Sequence, residues 1–182
     1  NGGLSLTLSK PQQLISYHFK TFLKGSDYTG FMNLLNSRVT IAKFRLNIDA
    51  SYLNSSSPLT NTGFIRSTTD LSRPVGVFIF GARYEQERNR IENAVTDSLQ
   101  LNSFSYDAGK FYITSADTAK IRFRMDVSRR YDYAVKRDEF KKSTAADEAS
   151  ASFEFTGNPK SRLTITSGYR RLEIVDSLLS SQ

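Results

Sequence analysis

Several residue types are missing or scarce, and each gap closes off a class of chemistry. The chain has no cysteine, which excludes a disulfide framework, a thiol nucleophile and a thiolate metal site. It has no tryptophan and one histidine, His18, so any imidazole base or ligand has to be that residue. No stretch approaches the roughly 18 consecutive apolar residues of a transmembrane helix. Hydrophobic residues reach only 38%, against about 45–50% in soluble globular domains on a count that includes glycine. The sequence opens at Asn1 with no basic-then-apolar leader. The expectation is one unit over residues 1–182, an interior segment of a longer protein.

Aromatic residues, by contrast, are plentiful for so polar a chain: 13 Phe and 9 Tyr, 12% of the whole. Disordered chains are poor in such residues, so disorder does not fit. The net charge is +7, from 25 Lys+Arg against 18 Asp+Glu. That balance points to nucleic acid or anionic lipid only if the charge gathers on one face.

The informative signal has period two. From Ala42 to Tyr52 one parity reads Ala42, Phe44, Leu46, Ile48, Ala50, Tyr52, and the other Lys43, Arg45, Asn47, Asp49, Ser51. Such alternation makes a strand with one apolar and one polar face. From Ile121 to Val135 the apolar parity is broken only by Arg129, while Arg122, Arg124, Asp126, Ser128, Arg130 and Asp132 share the other. That length far exceeds the five or six residues or so usual in soluble sheets, but suits a tilted strand crossing a bilayer, which takes about 9–11. Ala149–Phe155, Leu163–Tyr169 and Phe78–Tyr84 repeat the pattern. Phe31–Leu35 supplies a short strand, and helix formers around Tyr84–Arg90 offer a local helix as the competing reading of Arg83–Gln100.

Tight turns are expected at Lys10–Gln13, Asn36-Ser37, Ser72–Pro74, Ser115–Thr118 and Gly157–Lys160. Longer links are expected at Lys24–Gly30, Asn54–Gly63, Ile91–Ser98, Arg137–Asp147 and the tail from Val175. Short and long connections then alternate, which is the layout of an outer-membrane barrel with short periplasmic turns and long outer loops. The fold class expected is therefore all-β: an antiparallel up-and-down meander of about ten long amphipathic strands, part of an outer-membrane-type β-barrel. Lys43, Arg45, Asp49, Arg122, Arg124, Asp126 and Arg130 line its polar side in this reading, and Phe44, Leu46, Ile48, Phe123, Met125 and Val127 meet lipid. Tyr52, Tyr131 and Tyr133 sit at the interface.

The run Gly81–Arg90, with Thr96–Leu99, Ser103–Asp107 and Arg162–Leu172, resembles large envelope β-barrel proteins of Bacteroidetes. The resemblance implies a fold and a cell-envelope location, and no particular reaction.

Candidate chemistry is sparse. His18 shares parity with Lys20 and reads as a solvated strand residue; as a catalytic base it lacks a nearby nucleophile motif. His18 with Asp27 makes a poor metal site. Glu85/Glu87 and Asp147/Glu148 could act as acid and base, but pairing with Arg or Lys explains them more simply. Arg129-Arg130 and Lys136–Lys142 suggest nucleic acid, yet Tyr131 and Tyr133 face away from Arg130, so no single stacking platform forms. No enzyme activity, catalytic residue, metal or cofactor is expected, and no nucleic-acid partner. The expected partners are outer-membrane lipid and other envelope proteins. The role is structural, transport or surface assembly, in the outer membrane of a Gram-negative bacterium. The alternative is a soluble or surface-attached antiparallel sheet that binds an envelope component, and a third reading is a barrel enzyme using His18.

Overall fold

A computed structural model describes residues 2–24, 27–115, 121–158 and 161–175, with the side chains of 156–158 and 161–162 left aside. Ten strands follow one another: β1 (Gly2–Lys10), β2 (Gln13–Lys24), β3 (Tyr28–Ile41), β4 (Phe44–Ser56), β5 (Thr60–Val75), β6 (Phe78–Asn93), β7 (Phe104–Ser115), β8 (Ile121–Lys136), β9 (Glu139–Asn158) and β10 (Ser161–Ile174). They form one antiparallel sheet in sequence order. Most are far longer than a soluble-domain strand; β9 has 20 residues.

The register converts the alternation of each strand into two continuous faces. Residues directly opposite one another across a ladder point to the same side. One row reads Leu46, Leu71, Ala82, Phe111, Val127, Ala149, Tyr169 from β4 to β10. The row beside it reads Asn47, Asp70, Arg83, Lys110, Ser128, Glu148, Arg170. The first lies on an apolar face and the second on a polar one.

No conventional core exists. Among the described residues the only buried hydrophobic side chains are Leu99, Ala145 and Ala146. Phe111 is 73% exposed, Ile165 58% and Leu6 57%. Each large apolar side chain left in water forgoes about 1.5–3 kcal/mol, so a chain of this size cannot leave an entire face wet. That face requires an apolar cover, which a two-layer soluble domain would supply from its own second layer.

The sheet is also strongly staggered. Leu8, two residues before the end of β1, stands in one row with Ile48, Tyr84, Arg129 and finally Arg171, ten residues into β10. Stagger of this kind tilts strands against the axis of a curved sheet, which closing a barrel demands.

Several connections differ from expectation. Asn36-Ser37 lies inside β3, and the turn is Ala42-Lys43, both with positive φ (48° and 71°). Lys43 therefore sits at a turn tip and not along the polar face. Ser72–Pro74 continues β5, and the chain reverses at Gly76-Val77, where Gly76 has φ 62°. The helix weighed for Arg83–Gln100 is absent; β6 runs to Asn93. Arg137–Asp147 is no long loop: Arg137-Asp138 alone reverse the chain, with φ 52° and 61°, and β9 begins at Glu139. The 54–63 link shrinks to Ser57–Leu59. Among the described residues only 94–103, between β6 and β7, remains a long loop. Its Leu99 amide donates to Asp138 Oδ1 at 3.1 Å, laying the loop against the β8–β9 turn. The turn at Lys10–Gln13 stands as expected. Parts of the Lys24–Gly30, Ser115–Thr118 and Gly157–Lys160 links, and the tail after Val175, lie outside the described residues.

Two-residue hairpins with both central φ positive favour Asn-Gly, and an L-residue held there costs about 1–2 kcal/mol. Replacing Ala42-Lys43 by Asn-Gly is expected to stabilise the fold by about 1 kcal/mol. The check is an upward shift in the urea midpoint for folding into detergent micelles.

Candidate functional face

Among the described residues the polar face brings together the largest set of paired charges, and its carboxylates are more enclosed than the large apolar side chains of the other face. The side chains of Asp126 and Glu87 are 14% and 18% exposed, against the open positions of Phe111 and Ile165.

Its charges are interleaved by sign. Lys110 Nζ lies 3.0 Å from Asp126, Arg170 3.1 Å from Glu148, Arg66 3.7 Å from Glu87 and Arg122 3.9 Å from Glu154. These are cross-strand pairs. Arg83–Glu85 (2.6 Å) and Arg130–Asp132 (2.7 Å) pair along one strand, two residues apart. Most of these cations are half-exposed, where an ion pair contributes about 0–1 kcal/mol. Their effect is thus more to set the local potential than to hold the sheet. Two polar clefts of about 310 and 420 Å³ share Arg83, Glu85 and Lys110 on this face.

One brace spans three strands. Gly81 on β6 lies opposite Tyr112 on β7. A Cβ on Gly81 would come 2.1 Å from the ring, so the ring occupies the space that glycine leaves. The Tyr112 hydroxyl reaches β5 and hydrogen-bonds to the Asp70 carboxylate, 3.0 Å from both oxygens. Phe22 covers Gly30 in the same way, with a would-be Cβ 2.3 Å from the ring.

The residues singled out from sequence separate clearly. His18 does lie on the polar face, opposite Ser5 and Leu34. Its Nδ1 is 2.8 Å from Ser5 Oγ and its Nε2 2.9 Å from Ser16 Oγ. Asp147 and Glu148 face opposite sides, with Arg129 and Arg170 respectively, so they cannot act as one acid–base pair. Glu85 and Glu87 share the polar face, each with its own arginine. Arg130 leaves Tyr131 and stacks over Tyr106, 4.0 Å from the ring centroid. Tyr131, on the apolar side, is flanked by Lys142 (3.7 Å) and Arg129 (5.1 Å). No group of three histidine, aspartate or glutamate side chains suited to a metal occurs among the described residues. Sequence reasoning missed the Gly81–Tyr112–Asp70 brace; the only available sign was a glycine inside a strand pattern.

No protein-family model and no curated protein matches the chain. Among solved structures it is similar to a loop-L8 deletion form of OmpT, an outer membrane protein of Vibrio cholerae, with a TM-score of 0.63 and 9% identity. The alignment covers 94% of this chain and 57% of that one. The fold is that of an outer-membrane β-barrel wall. At this identity the likeness is one of fold, and the chain spans little more than half the length of the matched structure.

The same finding corrects one expectation. The sequence reading excludes an enzyme for want of a nucleophile motif, and that exclusion does not stand. The chain shares its scaffold with OmpT, and scaffolds host catalytic sites independently of their strand pattern. Moreover, His18 holds two serine hydroxyls at hydrogen-bond distance with no motif to announce it.

The brace gives a test of the face. Gly81→Ala must push the Tyr112 ring aside and is expected to cost about 1–3 kcal/mol, as overpacking does. Gly109→Ala, with nothing within 4 Å of its would-be Cβ, is expected to stay within about 0.5 kcal/mol of the parent. Urea midpoints for both variants check the contrast.

Proposed function

We propose that the chain forms part of the wall of an outer-membrane β-barrel in a Gram-negative bacterium, with lipid on its apolar face and an aqueous lumen on its polar face. Large envelope barrels of Bacteroidetes are the proposed kin. The role is passage or binding of polar solutes along the charged lumen, with structural support of the envelope as its minimum content. The observation that carries this reading is the pair of adjacent rows described above, one apolar and one charged from β4 to β10.

Three physical points support it. The apolar face needs a cover, and hydrocarbon covers it without a second protein layer. Tyr52 and Tyr131 stand on that face toward the long-loop end, with polar neighbours in Asn54 and Lys142; an amphipathic ring suits a membrane interface. The polar face carries both signs of charge, as a watery interior tolerates and a lipid contact does not. Among the described residues no ladder joins β1 to β10. Their free backbone edges would have to be met by further strand pairing inside a membrane.

The test uses the full-length product exported with its own signal in a Gram-negative host. An epitope between Val95 and Thr96 is expected to label on intact cells, and the unheated protein to migrate differently from the heated one. Ile48→Arg or Phe123→Arg is expected to cost about 2–4 kcal/mol near mid-membrane, falling toward the interfaces. Asn36→Lys, beside Asp49 on the polar face, should be tolerated. A soluble product with no mobility shift overturns the proposal and gives the apolar face to a protein partner in the envelope.

A further inference from the structure

The apolar face is not uniform. Ala82 is the shortest side chain in its neighbourhood, paired with Leu71 on one side and Phe111 on the other. A groove of about 590 Å³ opens over it, walled by Phe80, Ile113, Met125 and Val127. At the end nearest the short turns the groove is bordered by Arg73, whose guanidinium lies 5.0 Å from the centroid of the Phe44 ring.

Charge along this face is unevenly placed. In the half nearest the short turns, the charged side chains on the apolar face among the described residues are Lys10 and Arg73, with Lys43 at a turn tip. The carboxylates on that face, Asp107, Asp147, Glu173 and Glu92, all lie in the other half. Arg73 has no carboxylate partner among the described residues, whereas Arg129 in the opposite half is paired with Asp147. A guanidinium at the mouth of an apolar groove fits a phosphate, which it binds through its planar fork of donors. Its aliphatic stem can lie along the hydrocarbon while the head reaches the boundary.

The geometry points to a docking site for one anionic phospholipid, its phosphate at Arg73 and an acyl chain in the groove over Ala82. This rests on the membrane reading above and adds a definite ligand and place to it. Lys10 and Lys43 extend the positive rim to either side without lining the groove, so they raise the local concentration of anionic headgroups. Ala82 sets the depth of the groove; a larger residue there would fill it from the floor.

The test places the full-length protein in bilayer nanodiscs holding equal amounts of phosphatidylglycerol and phosphatidylcholine. Lipids that remain bound after mild detergent extraction are counted by mass spectrometry, and the heat-dependent gel shift is recorded for every variant. The parent is expected to retain phosphatidylglycerol several-fold above its bulk share. Arg73→Gln should bring retention down to the bulk ratio, and Ala82→Phe should abolish retention of either lipid. Arg88→Gln, on the same face in the other half, should leave the excess unchanged. A parent with no excess, or an excess that survives Arg73→Gln, overturns the site while a normal gel shift leaves the barrel standing. A parent without the gel shift overturns both. Should Ala82→Phe fail to fold, the Arg73→Gln comparison decides alone.

Discussion

The structure depends on register. Side chains in a strand alternate faces, so a slip of one residue at any ladder would carry that strand's apolar set to the polar side. Between β5 and β6 such a slip would set Arg83 beside Leu71 and Tyr84 beside Asp70. The sheet has no buried core to resist it, and the surface ion pairs are individually weak. What fixes the register is the sum of many matched rows together with tight hairpins. The Tyr112 ring seated on Gly81 and bonded to Asp70 adds a lock that works only when three strands are aligned.

With register fixed, the two faces acquire separate tasks. The polar side gathers arginines and carboxylates into mixed rows, where many charges meet one of opposite sign and still meet water. The apolar side gathers leucine, isoleucine, phenylalanine and alanine over the middle of the strands, and tyrosines with polar partners toward the long-loop end. His18, seated between Ser5 and Ser16, is a reminder that fold and pattern do not decide chemistry.

Much of the fold was legible because period two is a local property. Ala42–Tyr52 and Ile121–Val135 announce their faces within one strand, and every residue assigned to the polar or apolar side along those strands lies there, Ala42 and Lys43 at their turn excepted. The connections were less legible for a definite reason. Ala42-Lys43 adopts left-handed backbone without the Asn or Gly that normally signals it, so no turn chemistry marked it, and Arg137-Asp138, with one Asp and no Gly, read as the start of a long link and not as a tight turn. Asn36-Ser37, which does carry turn residues, sits mid-strand because its neighbours on β2 and β4 hold it extended. The helix formers of β6 yielded in the same way to pairing on both sides. The features of the two faces that matter chemically, the Tyr112 brace and the groove over Ala82, arise between strands and have no linear signature.

The stagger of the ladders gives the polar face a screw sense. Because directly opposite residues climb from near the turn in β1 to far along β10, the row from Asp70 through Arg83 and Lys110 to Glu148 and Arg170 winds along the wall and does not encircle it. A dissolved ion moving along such a wall would encounter these charges one after another at graded depth, a spiral staircase of mixed sign in place of a single charged collar.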